Sequence, residues 1–145
     1  MDDKLSQALQ LLPHGAEFRF VDRLLSLEPG RSATAEFRVA PDAPFLRGHF
    51  PRQPLFPGVL LIEAAAQLAG IAAQSDPLLT PLPNLKLTAV RNVKIMGTAK
   101  PGEVIRIEAA VTGRLNNLVQ ADVSITVEDR TLMQGALTLS GDVRS

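Results

Sequence analysis

One helix-length stretch of this chain is almost entirely apolar, and it constrains the fold more than any other feature. The run covers 59–73, and its interruptions are few: Glu63, Gln67 and Gly70. Pro57-Gly58 precedes it, and proline fits a first helical turn because its missing N–H would have no partner there. A helix that is apolar on nearly every side must be buried. We therefore predict a helix from Pro57 to about Gln74 that runs through the core.

The rest of the sequence predicts strands that are separated by turns. Alternating apolar residues favour strands, and pairs such as Pro29-Gly30, Pro101-Gly102 and Asn116-Asn117 are typical of turns. The residues from 40 to 56 hold four of the eleven prolines, which indicates a constrained loop. A short amphipathic helix is predicted at the N-terminus, over 3–12. The predicted strands cover 18–28, 31–39, 84–96, 103–114, 118–128 and 131–140.

One long apolar helix among about six strands predicts an α+β fold. A single antiparallel sheet wrapped around the helix would bury it, which is the hot-dog arrangement. The 145 residues favour one domain, which we place at 1–145. Such a sheet exposes an edge strand, so we expect it to pair with a second copy.

Composition excludes several classes of function. Lys plus Arg and Asp plus Glu are both 15, so the formal charge is zero and a nucleic-acid partner is not expected. There is no cysteine and there are two histidines, which leaves little for a metal site, and we expect neither metal nor cofactor. The acidic N-terminus does not resemble a signal peptide, and the apolar run is short for a bilayer. We expect no membrane partner and a cytoplasmic location.

Glu63 is the first candidate functional residue. A lone acid is most often a surface residue, but the helical neighbours of Glu63 offer no charged face for it to join. Burying a carboxylate costs free energy unless something compensates for it. Gln67 lies one turn further along the helix and could hydrogen-bond to it. A buried acid of this kind is a candidate proton donor.

His49 and Gly58 are the second and third candidates. His49 stands among prolines, which suggests that its imidazole is held in one direction, although a histidine satisfied by backbone groups is the commoner case. A neutral imidazole near pH 7 is a natural general base. Gly58 is a turn residue, but at a helix start it also exposes N–H groups to a developing oxyanion. We interpret His14 as structural.

A base, an acid and an oxyanion site together match one reaction class. A proton is removed α to a thioester carbonyl, and hydroxide leaves from the β carbon as the acid protonates it. The apolar helix would line a channel for the acyl chain. A thioesterase in which Glu63 activates water, and a non-catalytic subunit that only binds acyl thioesters, remain alternatives.

Three segments resemble the FabZ-type 3-hydroxyacyl-ACP dehydratases of the hot-dog superfamily. They are "LLPHGAEFRFVDR" (11–23), "GHFPRQPLFPGVLLIEAAAQ" (48–67) and "KPGEVIRIEAAV" (100–111). The resemblance implies that His49 is the base, that Glu63 is the acid and that the Gly58 amide binds the thioester carbonyl. It also implies that substrate is contacted by Phe50, Val59 and Gln67.

The same resemblance implies the partners and the pathway. The substrate would be a 3-hydroxyacyl chain on the phosphopantetheine of acyl carrier protein, in the synthesis of fatty acids or related lipids and polyketides. The protein would be a homodimer or a trimer of dimers, in which the histidine of one subunit works with the acid of the other. The chain departs from the family pattern at 15–17 (GAE) and 95–97 (IMG), and it has no tyrosine. Chain length, and carrier protein against CoA, are therefore left open.

Overall fold

The computed structural model describes residues 5, 8, 9, 19–43 and 55–142. The predicted long helix and six strands are confirmed. Of the predicted N-terminal helix, Leu5, Ala8 and Leu9 are helical, and the other residues of 3–12 lie outside the described ones, as do 44–54 of the predicted loop. The elements are β1 (Arg23–Glu28), β2 (Ser32–Arg38), α1 (Gly58–Gln74), β3 (Lys86–Ile95), β4 (Val104–Leu115), β5 (Leu118–Val127) and β6 (Arg130–Ser140).

The largest difference from the predicted boundaries is the start of β1, which was expected at residue 18 and is found at Arg23. Tertiary contacts explain the difference. The Phe20 N–H donates to the side chain of Gln67 at 2.8 Å, so this part of the chain is bound to the helix. The Phe20 ring also packs edge-on against Phe37 and Phe56, with centroids 5.7 Å apart in each pair.

All six strands form one sheet in the order β1-β2-β4-β5-β6-β3. Every neighbouring pair is antiparallel. The helix lies on one face of this sheet and contacts β2, β3, β4, β5 and β6. The α+β hot-dog fold that the sequence predicts is therefore confirmed. The order also makes β1 and β3 the two edge strands, and β3 reaches its edge only after the chain has passed through α1.

Small residues let the helix lie close to the sheet. Ala33, Ala109 and Ala121 are buried on three different strands, and most of α1 is buried too. Since side chains alternate between the two faces of a strand, the neighbouring positions point away from the helix, and all of them except Ala110 are polar or charged. Burial is nevertheless incomplete at the first turn of the helix, where Val59 is 71% exposed. The helix that we predicted to be buried throughout is thus open at its N-terminal end.

The C-terminal end of α1 is held by donors from other elements. The last carbonyls of a helix have no partner within it. Here the Gly30 N–H donates to the Ala72 carbonyl at 2.8 Å, and Arg114 Nη1 donates to the Ala73 carbonyl at 3.0 Å. Gly30 has φ +76°, a conformation that glycine adopts at no steric cost, so the β1–β2 turn can approach the helix. These contacts fix the helix at one end and leave its other end for the site.

Within the described part of the chain, no helix is long and apolar enough to cross a membrane.

Candidate active site

The start of α1 presents backbone N–H groups that its own turn cannot satisfy. The amides of Gly58 and Val59 have no acceptor within the helix. Pro57 occupies the cap position, where no side chain makes a capping hydrogen bond, and the first turn carries no acidic residue. The positive end of the helix dipole is therefore not offset by an acid in its first turn, and it suits a ligand oxygen that gains negative charge.

Gly58 is also the point at which α1 meets the end of β3. A Cβ atom at this position would lie 3.0 Å from Cδ1 of Ile95, which is closer than ordinary packing. Glycine therefore lets the edge strand approach the helix start. Ile95 itself is 46% exposed, so the N–H groups of the first turn lie beside an apolar surface.

Hydrogen bonds to the segment 99–103 hold the residues just before the helix. Phe56 is fully buried, and its N–H donates to the Ala99 carbonyl at 2.9 Å. Glu103 closes the adjoining turn by accepting hydrogen bonds from the Lys100 N–H and from Arg130 Nη2, each at 2.7 Å. The Lys100 backbone N–H, and then the hydrogen bond and charge of Arg130, lower the pKa of Glu103 below its ordinary value. An ionised Glu103 thus supports the segment from which the helix begins.

Glu63 and Gln67 form a hydrogen-bonded pair on α1. Gln67 Nε2 donates to Glu63 Oε1 at 3.4 Å, and the Gln67 side chain is only 2% exposed. The amide oxygen of Gln67 accepts the Phe20 N–H at 2.8 Å. Glu63 itself is half-buried, so our expectation of a wholly buried acid is corrected for the single chain. The role of Phe20 could not be read from the sequence, because a backbone N–H is common to nearly every residue.

Three of the predicted site residues follow one stripe of the helix. Val59, Glu63 and Gln67 are spaced four residues apart and therefore share one face. Along this stripe the side chains pass from exposed through half-buried to buried. Gly58 lies in the same first turn as Val59 but, being one residue earlier, it is about 100° around the helix from this stripe. The described structure thus places Gly58 and Val59 in the first turn of the helix, and Glu63 and Gln67 in contact with each other further along it.

His49 and Phe50, in contrast, lie outside the described residues, so their positions relative to Glu63 stay predictions. In the described part of the chain, no three His, Cys, Asp or Glu residues come together as metal ligands would. The expectation that the protein needs no metal or cofactor likewise stays a prediction.

A six-stranded antiparallel sheet around one helix defines this chain as a hot-dog protein, and its candidate acid, Glu63, lies one turn inside the open end of that helix. Residues 12–136 match the family model of the FabA-like domain, and this chain belongs to that family.

Curated relatives place it more closely, among the FabZ-type dehydratases. The 3-hydroxyacyl-[acyl-carrier-protein] dehydratase FabZ of Natranaerobius thermophilus is 37% identical over 139 residues, which cover 94% of this chain and 95% of the relative. The FabZ of Ruminiclostridium cellulolyticum is 33% identical, with 88% and 89% covered. The resemblance that the sequence motifs indicated is confirmed.

Solved structures agree on the fold. The dehydratase heterocomplex ApeI:P from Xenorhabdus doucetiae superposes with a TM-score of 0.80 at 18% identity, covering 94% of this chain and 91% of that one. Zebra fish thioesterase superfamily member 2 gives 0.69 at 22% identity, with 94% of each chain covered. At these identities the likeness concerns the fold alone, so it does not distinguish a dehydratase from a thioesterase.

Proposed function

We propose that this chain dehydrates 3-hydroxyacyl thioesters on acyl carrier protein to trans-2-enoyl thioesters, in the synthesis of fatty acids or related lipids. The observation that carries the proposal is the placement of Glu63, a half-buried acid one turn inside a helix whose first N–H groups have no acceptor within the helix. The curated FabZ relatives, matched over almost their whole length, support the same reaction. We assign the activity to one domain spanning 1–145.

Each residue has one part in this reaction. His49 removes a proton from C2 of the acyl chain, and the Gly58 N–H stabilises the negative charge that develops on the thioester oxygen. Glu63 gives its proton to the 3-hydroxyl group as the C3–O bond breaks. A double bond forms between C2 and C3, and one water leaves. The dyad is restored when the proton held by His49 returns to Glu63.

We further propose that Phe50 and Val59 contact the substrate. The sequence predicted the same for Gln67, but its burial favours contact with Glu63 instead. The exposure of Val59, next to Gly58, supports a place for it at the mouth of the channel. The partner is an acyl carrier protein that presents the chain on phosphopantetheine, with no nucleic acid and no membrane involved. The location that we propose is the cytoplasm.

A homodimer, or a trimer of such dimers, would complete the site. Edge strand β3 ends beside Gly58 and exposes apolar side chains: Val90 is 52% exposed and Ile95 46%, and Met96, directly after the strand, is 52% exposed. Apolar side chains on an unpaired edge favour contact with another strand, and a second copy of β3 would supply one. In the assembly that we propose, His49 of one subunit faces Glu63 of the other.

This proposal predicts that an acid in the middle of β3 disrupts both assembly and activity. Val90→Asp would place a charge in the expected contact between subunits, where burying it without a partner is costly. We expect a lower mass by light scattering and a loss of dehydration, with the far-UV circular dichroism unchanged. Leu78→Asp is the matched control, because Leu78 is 89% exposed on a loop outside β3. A fully active monomer would contradict the shared site, and an unchanged mass for Val90→Asp would contradict assembly through β3.

One assay distinguishes the proposed function from its alternatives. The protein is incubated with a 3-hydroxyacyl-ACP, and the products are identified by mass spectrometry. We expect enoyl-ACP, which has lost one water. Free 3-hydroxy acid would instead indicate a thioesterase, and unchanged substrate that binds would indicate a non-catalytic subunit. A saturated acyl-ACP without the 3-hydroxyl is the control, since a dehydratase leaves it intact while a thioesterase hydrolyses it.

A further inference from the structure

Gln67 connects the candidate acid to a distant part of the chain. It is the one polar or charged side chain that is buried within the described residues, at 2% exposure. Its amide bridges Glu63, one turn away on the same helix, and the backbone of Phe20, which lies 47 residues away in sequence. A buried amide is costly unless it is hydrogen-bonded, so this bridge strongly favours one orientation of the side chain.

The Phe20 contact determines which way the Gln67 amide points. A glutamine side chain has one oxygen that accepts and one nitrogen that donates, and the two are easily exchanged in a structure. The Phe20 backbone N–H can only donate, so the atom that faces it must be the Gln67 oxygen. The Gln67 nitrogen is consequently turned toward Glu63, and it donates to Oε1.

The Gln67 nitrogen, as a donor, influences which oxygen of Glu63 carries the proton. In a protonated carboxyl group the carbonyl-type oxygen is the better acceptor, and the other oxygen carries the hydrogen. A donor at Oε1 therefore favours the proton on Oε2. The Nε2–Oε1 distance of 3.4 Å is long for a hydrogen bond. Catalytic hydrogen bonds are often long before substrate binds and shorten afterwards.

We propose that Gln67 is a positioning residue that is anchored on the Phe20 backbone and holds Glu63 with its transferable proton on Oε2. The inference rests on the dehydration proposed above, and it assigns Gln67 a different role from direct contact with substrate. The burial of Gln67 supports this choice, because its amide oxygen is already engaged by Phe20.

Ring packing holds the Phe20 residue in place, and the same packing supports the oxyanion site at the start of α1. The Phe20 ring packs edge-on against Phe56, with centroids 5.7 Å apart. Phe56 lies directly before Pro57 and Gly58, at the start of α1. One aromatic cluster thus supports both the residue that orients the acid and the backbone N–H groups of the first turn. Such mutual support is what keeps reacting groups aligned.

The test compares two glutamines on the same helix. Gln74 also accepts a backbone N–H, that of Leu82 at 2.9 Å, but it lies two turns beyond Gln67 and away from Glu63. Gln67→Met and Gln74→Met each remove such an acceptor, so both variants should lose thermal stability. Only Gln67→Met should lose kcat, by about 10- to 100-fold, which is the effect expected of a misaligned catalytic group. The KM should stay close to the wild-type value.

A second variant separates the anchor from the donor. Gln67→Glu keeps an oxygen for the Phe20 N–H but gives Glu63 a second carboxyl group as its neighbour. Two adjacent carboxyl groups share one proton between them, which keeps that proton from the substrate. We therefore expect kcat to fall as in Gln67→Met, while the melting temperature stays closer to that of the wild type.

Three results with these variants would overturn the positioning role of Gln67. They are wild-type kcat in Gln67→Glu, a loss in Gln67→Met no larger than in Gln74→Met, and a change confined to KM. Failure of both Gln67 variants to fold would make the residue a structural anchor and would overturn it as well. In all these cases the wild-type protein still dehydrates, so the proposed function stands. A wild-type protein that forms no enoyl product defeats both proposals.

Discussion

The His49→Ala variant is expected to lose dehydratase activity by about 10²–10⁴-fold, the usual effect of removing a general base. We expect its fold and subunit mass to be unchanged, because the prolines of the predicted loop would constrain it independently of the imidazole. The measurement is the rate of enoyl-ACP formation at saturating substrate, together with circular dichroism and light scattering.

His14→Ala is the matched control for this prediction. His14 is the other histidine of the chain, and we interpret it as structural, so its replacement should leave the rate of dehydration near that of the wild type. Near-full activity in His49→Ala would show that His49 is not the base. A large loss in His14→Ala, with the fold intact, would move that role to His14.

The Glu63→Gln variant should lose activity just as sharply, because glutamine keeps the size and the hydrogen-bonding capacity of the acid but has no proton to transfer. The fold should survive, since a half-buried ionisable group is replaced by a neutral one. The same rate assay measures the loss, and a melting curve checks the fold. Dehydration at the wild-type rate would remove Glu63 from the mechanism.

Mixing the two inactive variants then tests whether the site is shared between subunits. If His49 of one chain works with Glu63 of the other, a mixed dimer has one site with both residues intact and one site with neither. Random exchange of equal amounts makes about half the dimers mixed, so activity should return to roughly a quarter of the wild type, given that the residues of one site act as a unit. If mass spectrometry confirms exchange and no activity returns, the acid and the base belong to the same chain.

Much of the fold could be predicted because the signals are local. The length of an apolar run indicated α1, and the alternation of apolar residues indicated the strands that follow it, because each pattern depends on the geometry of one element. The spacing of Glu63 and Gln67 predicted their contact for the same reason, since residues four apart on a helix are neighbours. The motif around 48–67 further indicated the family and the chemistry that it performs.

The order of the strands and the surroundings of the acid were decided only by the tertiary structure. Strand β3 lies at an edge of the sheet, next to β6. The sequence could not show this, because strand pairing depends on long-range contacts that leave no periodic signal in either strand. The half-burial of Glu63 was likewise not evident from its apolar neighbours in sequence, which predicted a wholly buried acid. The Phe20 anchor is a backbone N–H that donates to Gln67 across 47 residues. Nearly every residue has such a group, so only the folded chain determines which one meets the glutamine.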